Sequence, residues 1–411
     1  LVEKGLLGGD CLNFGCVPSK SLLRSARAAA DAHDAARFGV NVSGVSVDFA
    51  AVMERVRRVR ATISEHDSAE RFRSLGIDVF LGAARFRNAS SVEIDGKVLP
   101  FRKAVIATGA RPVVPDVPGL AEAGCLTNET VFDLTELPRR LAVVGGGPIG
   151  CELAQAFRRL GSEVTVLQRG SQLLSKEDPE AAALIQGVLE REGVRVVLGV
   201  ALTGAVREGS QRVLRFTAGG QEETLRADQV LISAGRRPNV EGLNLEGAGV
   251  EVGARGVTVD DYLQTTNASI YAAGDVCMDW KFTHAADAAA RRVIQNALFL
   301  GGKRLSDLVM PWCTYTDPEV AHVGLYAAEA AAQGLETEVF RRNLKDVDRA
   351  VADGEEEGFL KVLVKKGTDR ILGATLVSRH AGETIGELTT AMTVRLGLKT
   401  LAGVSIPIRP R

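Results

Sequence analysis

Cysteine is scarce, with six in 411 residues. Four of them, Cys125, Cys151, Cys277 and Cys313, stand far apart, which excludes a disulfide-held secreted scaffold and reads as a reducing, cytoplasmic compartment. Neither sign of charge dominates. Fifty basic against 51 acidic residues leave a formal charge of -1, so no global field draws the chain to nucleic acid or to an anionic membrane surface. Long apolar runs are missing as well. The best, residues 141–157, is cut by five glycines or prolines and by Glu152, so it falls short of the roughly 18 apolar residues of a spanning helix. Histidines number five, none with a paired ligand spacing, and His33 stands alone. A zinc site, which takes about four ligands, is therefore not expected, and no metal-ligand set is assigned. What remains is a chain 45% apolar and 25% charged, whose length suits two or three globular domains at roughly 150 residues each.

Thirteen prolines and 44 glycines separate apolar runs of strand length from amphipathic stretches of helix length, an alternation that points to α/β architecture. The spacing predicts a helix over residues 19–36, a long charged helix over 49–75, short strands at 79–81 and 91–94, and a strand at 104–107 that closes a first block at Thr108-Gly109. A second block starts after Pro138, with a buried strand at 141–144, a glycine turn, a helix ending at the stop Gly161, and a strand at 163–167. That is one βαβ half of a doubly wound fold. A helix at 179–192, a strand at 194–198, a hairpin-like region and a strand over 229–235 complete it. Beyond lie a strand at 270–273, a helix at 285–299, and from about 306 an α+β unit with strands at 359–364 and 371–377 and a helix at 381–396. Glu355-Glu356-Glu357 reads as a solvated turn. Residues 1–5 look like the end of a strand already under way, so both termini read as truncation points.

Gly145-Gly146-Gly147-Pro148-Ile149-Gly150 satisfies G-x-G-x-x-G after a buried strand and at the opening of a helix. Glycine is needed there because a side chain would keep a pyrophosphate from the backbone N–H groups and the positive helix N-terminus. A dinucleotide site built on Gly145, Gly147, Ile149 and Gly150 follows. NAD sites usually place an acid at the end of the second strand, where it accepts the ribose hydroxyls. Here Gln168 stands in that position, followed by Arg169 and later Lys176, which favours a 2′-phosphate and so NADP over NAD.

Cys11-Leu12-Asn13-Phe14-Gly15-Cys16 spaces two cysteines five apart just ahead of a helix. In a reducing compartment such a pair is redox-active or metal-binding rather than a structural staple. A thiol near a helix N-terminus is biased toward thiolate, which suits Cys16 to hold charge and Cys11 to exchange.

The stretch Gly8-Gly9-Asp10-Cys11-Leu12-Asn13-Phe14-Gly15-Cys16-Val17-Pro18-Ser19-Lys20 closely resembles the active-site segment of the class I pyridine nucleotide-disulfide oxidoreductases. The likeness runs along the chain. Ala107-Thr108-Gly109-Ala110-Arg111-Pro112 and Ser233-Ala234-Gly235-Arg236-Arg237-Pro238-Asn239 resemble the family's two domain-closing signatures. Ile270-Tyr271-Ala272-Ala273-Gly274-Asp275 resembles its second flavin motif, and Trp312 to Ala321 resembles the start of its dimerisation domain.

The resemblance implies two Rossmann-like dinucleotide-binding domains plus an α+β dimerisation domain. An FAD-binding domain would cover residues 1–135 and 258–305, an NAD(P)-binding domain 136–257, and the dimerisation domain 306–411, in a homodimer. It implies that Glu3 holds the adenosine ribose of FAD and that Asp275 bonds the ribityl chain. Ala84, Thr108, Gly109, Gly274, Thr283 and His284 would line the flavin site, Gly235 would belong to the second closing signature, and Lys20 and Glu152 would match the ion pair beside the flavin ring. It also implies a relay in which NAD(P)H gives hydride to the flavin, the flavin passes two electrons to a Cys11–Cys16 disulfide, and the thiols reduce a small acceptor, a disulfide or a metal ion. Asp10, the Gln168-Arg169 pair and residues 281–287 look most like the mercuric reductase-like branch. Dihydrolipoamide dehydrogenase is the alternative, and a catalytically inactive NAD(P)-binding fragment is the alternative of another class.

Three departures from the family pattern stand out. Members carry a strand, a first G-x-G-x-x-G and a helix ahead of the residues matching Leu1 to Lys4, so this chain is expected to bind FAD poorly. They end with His-Pro-x-Pro-Thr and a following Glu, where this sequence reads Val404-Ser405-Ile406-Pro407-Ile408-Arg409-Pro410. One permitted codon choice for that stretch reads, in a shifted frame, Leu-His-Pro-Tyr-Pro-Thr, which predicts a frameshift in the coding DNA. Finally, the adjacent cysteine pair by which mercuric reductases deliver their ion does not occur in these residues.

Overall fold

The computed structural model describes residues 1–405; the substituted tail read above at 406–410 lies outside them. The chain divides into two compact units, Leu1–Pro138 with Gln229–Asp307, and Arg139–Asp228 with the residues from Leu308 onward. The architecture is mixed α/β. Among the described residues, no helix is long and apolar enough to cross a membrane.

In the first unit, two strand pairs run parallel. Val2–Glu3 lies beside Phe80–Leu81, and Ala104–Ile106 beside Ile270–Ala272. A three-stranded antiparallel sheet, Ala84–Asn88, Ser91–Ile94 and Lys97–Pro100, stands apart. Its inward-facing Phe86 joins Ile106, Ile270 and Val276 in one apolar cluster. Helices Cys16–Asp34, Phe49–Ser64 and Thr283–Leu298 complete the unit.

The single helix expected over 49–75 is broken. Phe49–Ser64 gives way to a 3-10 turn, Glu65–Asp67, and a new helix Ala69–Ser74 begins at Ser68. Ser68 has extended backbone angles and its hydroxyl accepts from the Arg71 N–H, a side-chain cap that competes with continuing the helix.

In the second unit the predicted strand–turn–helix–strand is present. Strands Arg140–Val144, Glu163–Gln168 and Arg195–Leu198 run parallel, and Gly161 ends helix Pro148–Leu160 with a left-handed φ of 116°. The hairpin-like region is a three-stranded meander, Ala201–Glu208, Gln211–Ala218 and Gln221–Ala227. A five-stranded antiparallel sheet has the order Pro311–Thr314, Glu319–Gly324, Ile371–Ser378, Phe359–Lys365, Thr337–Asn343. Helix Ala381–Thr393 packs on it through Ile385 and Leu388, which bury against Val323, Val362 and Leu376. The acidic run is not simply solvated: Glu355 pairs with Arg379 at 3.4 Å, and Glu357 pairs with Arg191.

His322, on the second strand of that sheet, is 1% exposed. Its Nε2 lies 3.1 Å from the Gly324 carbonyl, which can only accept, so Nε2 carries the proton and Nδ1 accepts from the Thr375 hydroxyl at 2.8 Å. The ring stacks on Tyr326 at 3.7 Å. Burial pushes its pKa down from 6.5 to about 4. Between those values the unfolded chain binds a proton that the folded chain refuses, so stability falls as pH drops through that window, by on the order of 3 kcal/mol in full. Thermal unfolding midpoints of the wild type should drop on acidification from pH 6.5 to 4, and His322→Gln should show a shallower drop; equal slopes would refute the assignment.

Candidate active site

The two cysteines predicted to carry redox chemistry sit on consecutive helices. Cys11 lies within Gly9–Asn13, and Cys16 is the first residue of Cys16–Asp34. Between them Phe14 and Gly15 turn the chain. A Cβ on Gly15 would meet the Asp10 carbonyl at 2.9 Å and the Cys11 Cα at 3.2 Å, so glycine is what lets the second helix start so close to the first.

All six cysteines are thiols. Cys11 and Cys16 share a side-chain hydrogen bond, and that contact, with burial behind it, pushes the Cys11 thiol well above its ordinary pKa. The Thr283 hydroxyl works the other way on Cys11 and lies 3.3 Å from Cys16 Sγ. A hydroxyl can donate to a thiolate. Cys16 also stands where a nineteen-residue helix presents unsatisfied N–H groups, a position that favours negative charge. Lys20, half-buried, is one turn farther along the same helix and shares its face with Cys16. Thr283 opens helix Thr283–Leu298, and His284 beside it stacks on Phe282 with ring centroids 5.4 Å apart.

The other predicted flavin residues gather in the same unit. Parallel strands Ala104–Ile106 and Ile270–Ala272 lead into Thr108-Gly109 and Gly274-Asp275 respectively, and the carboxyl ends of parallel strands are where α/β sheets bind dinucleotides. Gly109 has a φ of 68° and open space where a side chain would be, whereas at Gly274, φ 79°, a Cβ would crowd Ala286 at 3.2 Å. Asp275 is largely buried, and burial raises its carboxyl pKa against the pull of Arg236 and Lys281. The Arg236 Nε–H is buried without an aligned acceptor. A Cβ-free strand end beside a buried carboxylate and an unspent donor fits a polar cofactor such as FAD. Glu3 ends the first strand and accepts from the Gly5 N–H at 2.8 Å. Ala84 opens the strand Ala84–Asn88, half-buried. The Thr108 hydroxyl donates to the Asn239 carbonyl at 2.7 Å, and the Gly235 carbonyl accepts from Val113.

Sequence reading took the two closing signatures as separate landmarks, but they are partners. Ala110–Pro112 pairs antiparallel with Arg236–Pro238, and Arg111 forks onto Glu241 at 2.8 and 2.9 Å. Arg236 itself was missed as a site residue. Its guanidinium holds Asp10 at 2.7 Å and lies 3.3 Å from Asp275. The adjacency of Arg236 to Gly235 in a glycine-ended strand was the one available signal.

In the second unit the glycine turn behaves as its spacing requires. A Cβ at Gly146 would strike Leu173 at 2.4 Å, while one at Gly147, the helix N-cap, would meet nothing within 4 Å. The turn is thus pressed against the protein on one side and open at the helix end, which fits a dinucleotide pyrophosphate. Gly145 has a φ of 111°; Ile149 is 38% exposed, and Gly150 is buried. Gln168 spends its amide locally, accepting from the Gly146 N–H at 3.0 Å and donating to the Gln172 carbonyl at 3.1 Å. Arg169 and Lys176 are exposed. Glu152 is only 4% exposed and accepts from the Tyr315 N–H at 2.8 Å. Among the described residues no group of three or more His, Cys, Asp or Glu side chains could hold a metal ion.

The model of the pyridine nucleotide-disulphide oxidoreductases matches residues 1–290, and that of the family's dimerisation domain matches residues 310–410. The chain belongs to this family. It is 35% identical to a mercuric reductase of Staphylococcus aureus over 99% of this chain and 75% of that one. It is equally 35% identical to a dihydrolipoyl dehydrogenase of Chlamydia muridarum, over 97% of this chain and 86% of that one. Among solved structures it is similar to a copper(II) complex of the HOCl-induced flavoprotein disulfide reductase RclA from Escherichia coli. The TM-score is 0.88 at 28% identity, covering 99% of this chain and 90% of that one. The protein is an FAD-dependent oxidoreductase that uses NAD(P)H, with a dimerisation domain of this family.

Because Thr283 touches both thiols, Thr283→Val should move thiolate formation in the reduced protein to higher pH by roughly one unit, followed by ultraviolet thiolate absorbance on titration. Thr283→Ser should leave it unchanged; an unmoved Val variant would show the hydroxyl to be idle.

Proposed function

We infer that the Cys11–Cys16 pair is the redox centre through which this oxidoreductase reduces a small disulfide or a soft metal ion. The observation that carries the reading is the contact between the two sulfurs, with Cys16 at a helix N-terminus and Cys11 holding its proton. FAD, when bound at the residues named above, supplies the two-electron chemistry between nicotinamide and sulfur. The chain's own part is thiol chemistry. Cys16, favoured by the helix N-terminus and Lys20, keeps the charge, and Cys11, once deprotonated, attacks the acceptor disulfide, forming a mixed disulfide and expelling one thiolate. Cys16 then attacks Cys11 Sγ, the second acceptor sulfur leaves, and the internal disulfide is restored. The acceptor gains two electrons and two protons. Two thiolates at this spacing also suit a soft cation, so a mercuric reductase-like acceptor fits the same pair.

Lys20 and Glu152 are assigned to the pair flanking the flavin ring, and Glu3, Ala84, Thr108, Gly109, Gly274, Asp275, Thr283 and His284 to FAD. Gly145, Gly147, Ile149, Gly150, Gln168 and Arg169 are assigned to the nicotinamide nucleotide, with Gly235 at the second closing turn. Exposed Arg169 and Lys176, with no acid at the strand end, favour NADPH. The domain division is the one read from sequence, and the working form is a cytoplasmic homodimer.

Steady-state reduction of mercuric ion, lipoamide-type disulfides and glutathione disulfide would rank the acceptors. Cys11→Ser and Cys16→Ser should each lower turnover with every acceptor by about a thousandfold or more, while reduction of bound flavin by NADPH persists. Retained acceptor turnover in either variant would remove the pair from the mechanism.

A further inference from the structure

The short helix carrying Cys11 is five residues long, and its N-cap, Gly8, has no side-chain cap, so little in the helix itself fixes it. It is held from outside. The Asn13 amide bonds back to Leu7 and Gly9, Arg60 donates to the Asn13 carbonyl at 3.3 Å, and Asn128 donates to the Phe14 carbonyl at 3.3 Å. The Arg60 and Asn128 tethers act on the C-terminal end, while the Asn13 amide reaches back to carbonyls at the helix start. From a distant part of the chain the start is also held by an ion pair, Arg236 to Asp10 at 2.7 Å, immediately before Cys11.

Arg236 is well placed to be rigid. Its side chain is 14% exposed, and the same terminal nitrogen that meets Asp10 donates to the Ala110 carbonyl at 2.7 Å. Its backbone is fixed in the strand opposite Ala110–Pro112. Nε faces Asp275 at 3.3 Å. One guanidinium therefore joins the redox helix, the first closing signature and the second flavin motif, 226 and 39 residues away from Asp10 and Asp275 respectively by the numbers of the paired residues. A charged, partly desolvated pair of this kind holds geometry better than an exposed one, whose contribution is small.

We propose that Arg236, acting through its ion pair with Asp10, is a positioning residue that holds the Cys11 helix where the two sulfurs meet as thiols. The bridge is formed with Cys11 and Cys16 as free thiols. Breaking it releases the helix start and lets Cys11 settle toward Cys16, which favours the disulfide. The proposal rests on the redox reading of the cysteine pair. Asp275 is a second partner of the same guanidinium, so the two must be separated experimentally.

The test is the equilibrium of the full chain with glutathione, in which two glutathione thiols pass two electrons and two protons to the disulfide, giving the dithiol and glutathione disulfide. The quenched mixture is alkylated and the Cys11 and Cys16 thiols counted by mass spectrometry, so no turnover is needed. Asp10→Asn and Arg236→Met should each shift the constant three- to tenfold toward the disulfide. The double variant should shift it no further than Arg236→Met alone, because that variant already lacks the Asp10 contact along with those to Asp275 and Ala110, and Arg236→Lys should recover part of the effect. Shifts that multiply, or an Asp10→Asn protein indistinguishable from wild type, would overturn the proposal. Asp10→Asn is nearly isosteric, so that arm stands even if Arg236→Met fails to fold. A wild-type pair that never forms a disulfide under any glutathione ratio would instead sink the redox reading itself.

Discussion

The chemistry depends on how tightly the chain can fold back between two helices. Cys11 and Cys16 are five residues apart, yet each belongs to a different helix, so the intervening backbone must stop one helix and start another almost at once. Gly15 makes this possible by having no Cβ to collide with the Asp10 carbonyl and the Cys11 Cα. The consequence is electrostatic as well as steric: the second helix begins at Cys16 itself, so its unsatisfied N–H groups converge on the sulfur that is to bear charge. Had the first helix simply continued, five residues would have turned the two thiols to opposite faces.

The glycine turn of the second unit applies the same economy differently. At Gly146 a side chain is excluded by Leu173 and Gln168, which press from the protein side, and at Gly147 space is open toward the helix N-terminus. The helix that follows is held along one face. Glu152 accepts from the Tyr315 N–H, Gln155 exchanges hydrogen bonds with the Asp317 backbone, and Arg159 joins Glu192 at 2.6 Å and Asp317 at 2.9 Å. These residues recur at three- and four-residue spacing, so one stripe of the helix is committed to residues 315–317 while its N-terminal turn remains available to a phosphate. Arg159 and Asp317, 13% and 17% exposed, are buried enough that losing either partner would leave an uncompensated charge, which is costly.

What could be read in the sequence was what is local. The strand–turn–helix around residues 140–160 is specified by five glycine or proline positions in a row of neighbours, and the cysteine pair by spacing and a following helix. The break in the helix predicted over 49–75 was not legible because a serine within a charged helical pattern is ambiguous until its hydroxyl is seen capping Arg71. Glu355 looked solvated because nothing in the neighbouring acids foretells Arg379, which arrives from the turn after strand Ile371–Ser378. The pairing of the two closing signatures was beyond reach for the same reason, since each looks complete as a turn.

Arg236 shows where such reading stops. Its motif was recognised, but a motif names a position in the chain and not the groups that a fold brings to it. Asp10 likewise served only to distinguish branches of a family. Together they form a contact that neither local pattern contains, in which an arginine in the second signature neutralises the acid that precedes the first redox cysteine and faces the acid of the flavin motif. The two carboxylates share one guanidinium, with Lys281 adding its charge on the Asp275 side, and burial still penalises the ionised form of Asp275. The acid at position 10 is met by an arginine that arrives from elsewhere in the fold, and the two residues are best regarded as one element of the site, divided between distant parts of the sequence.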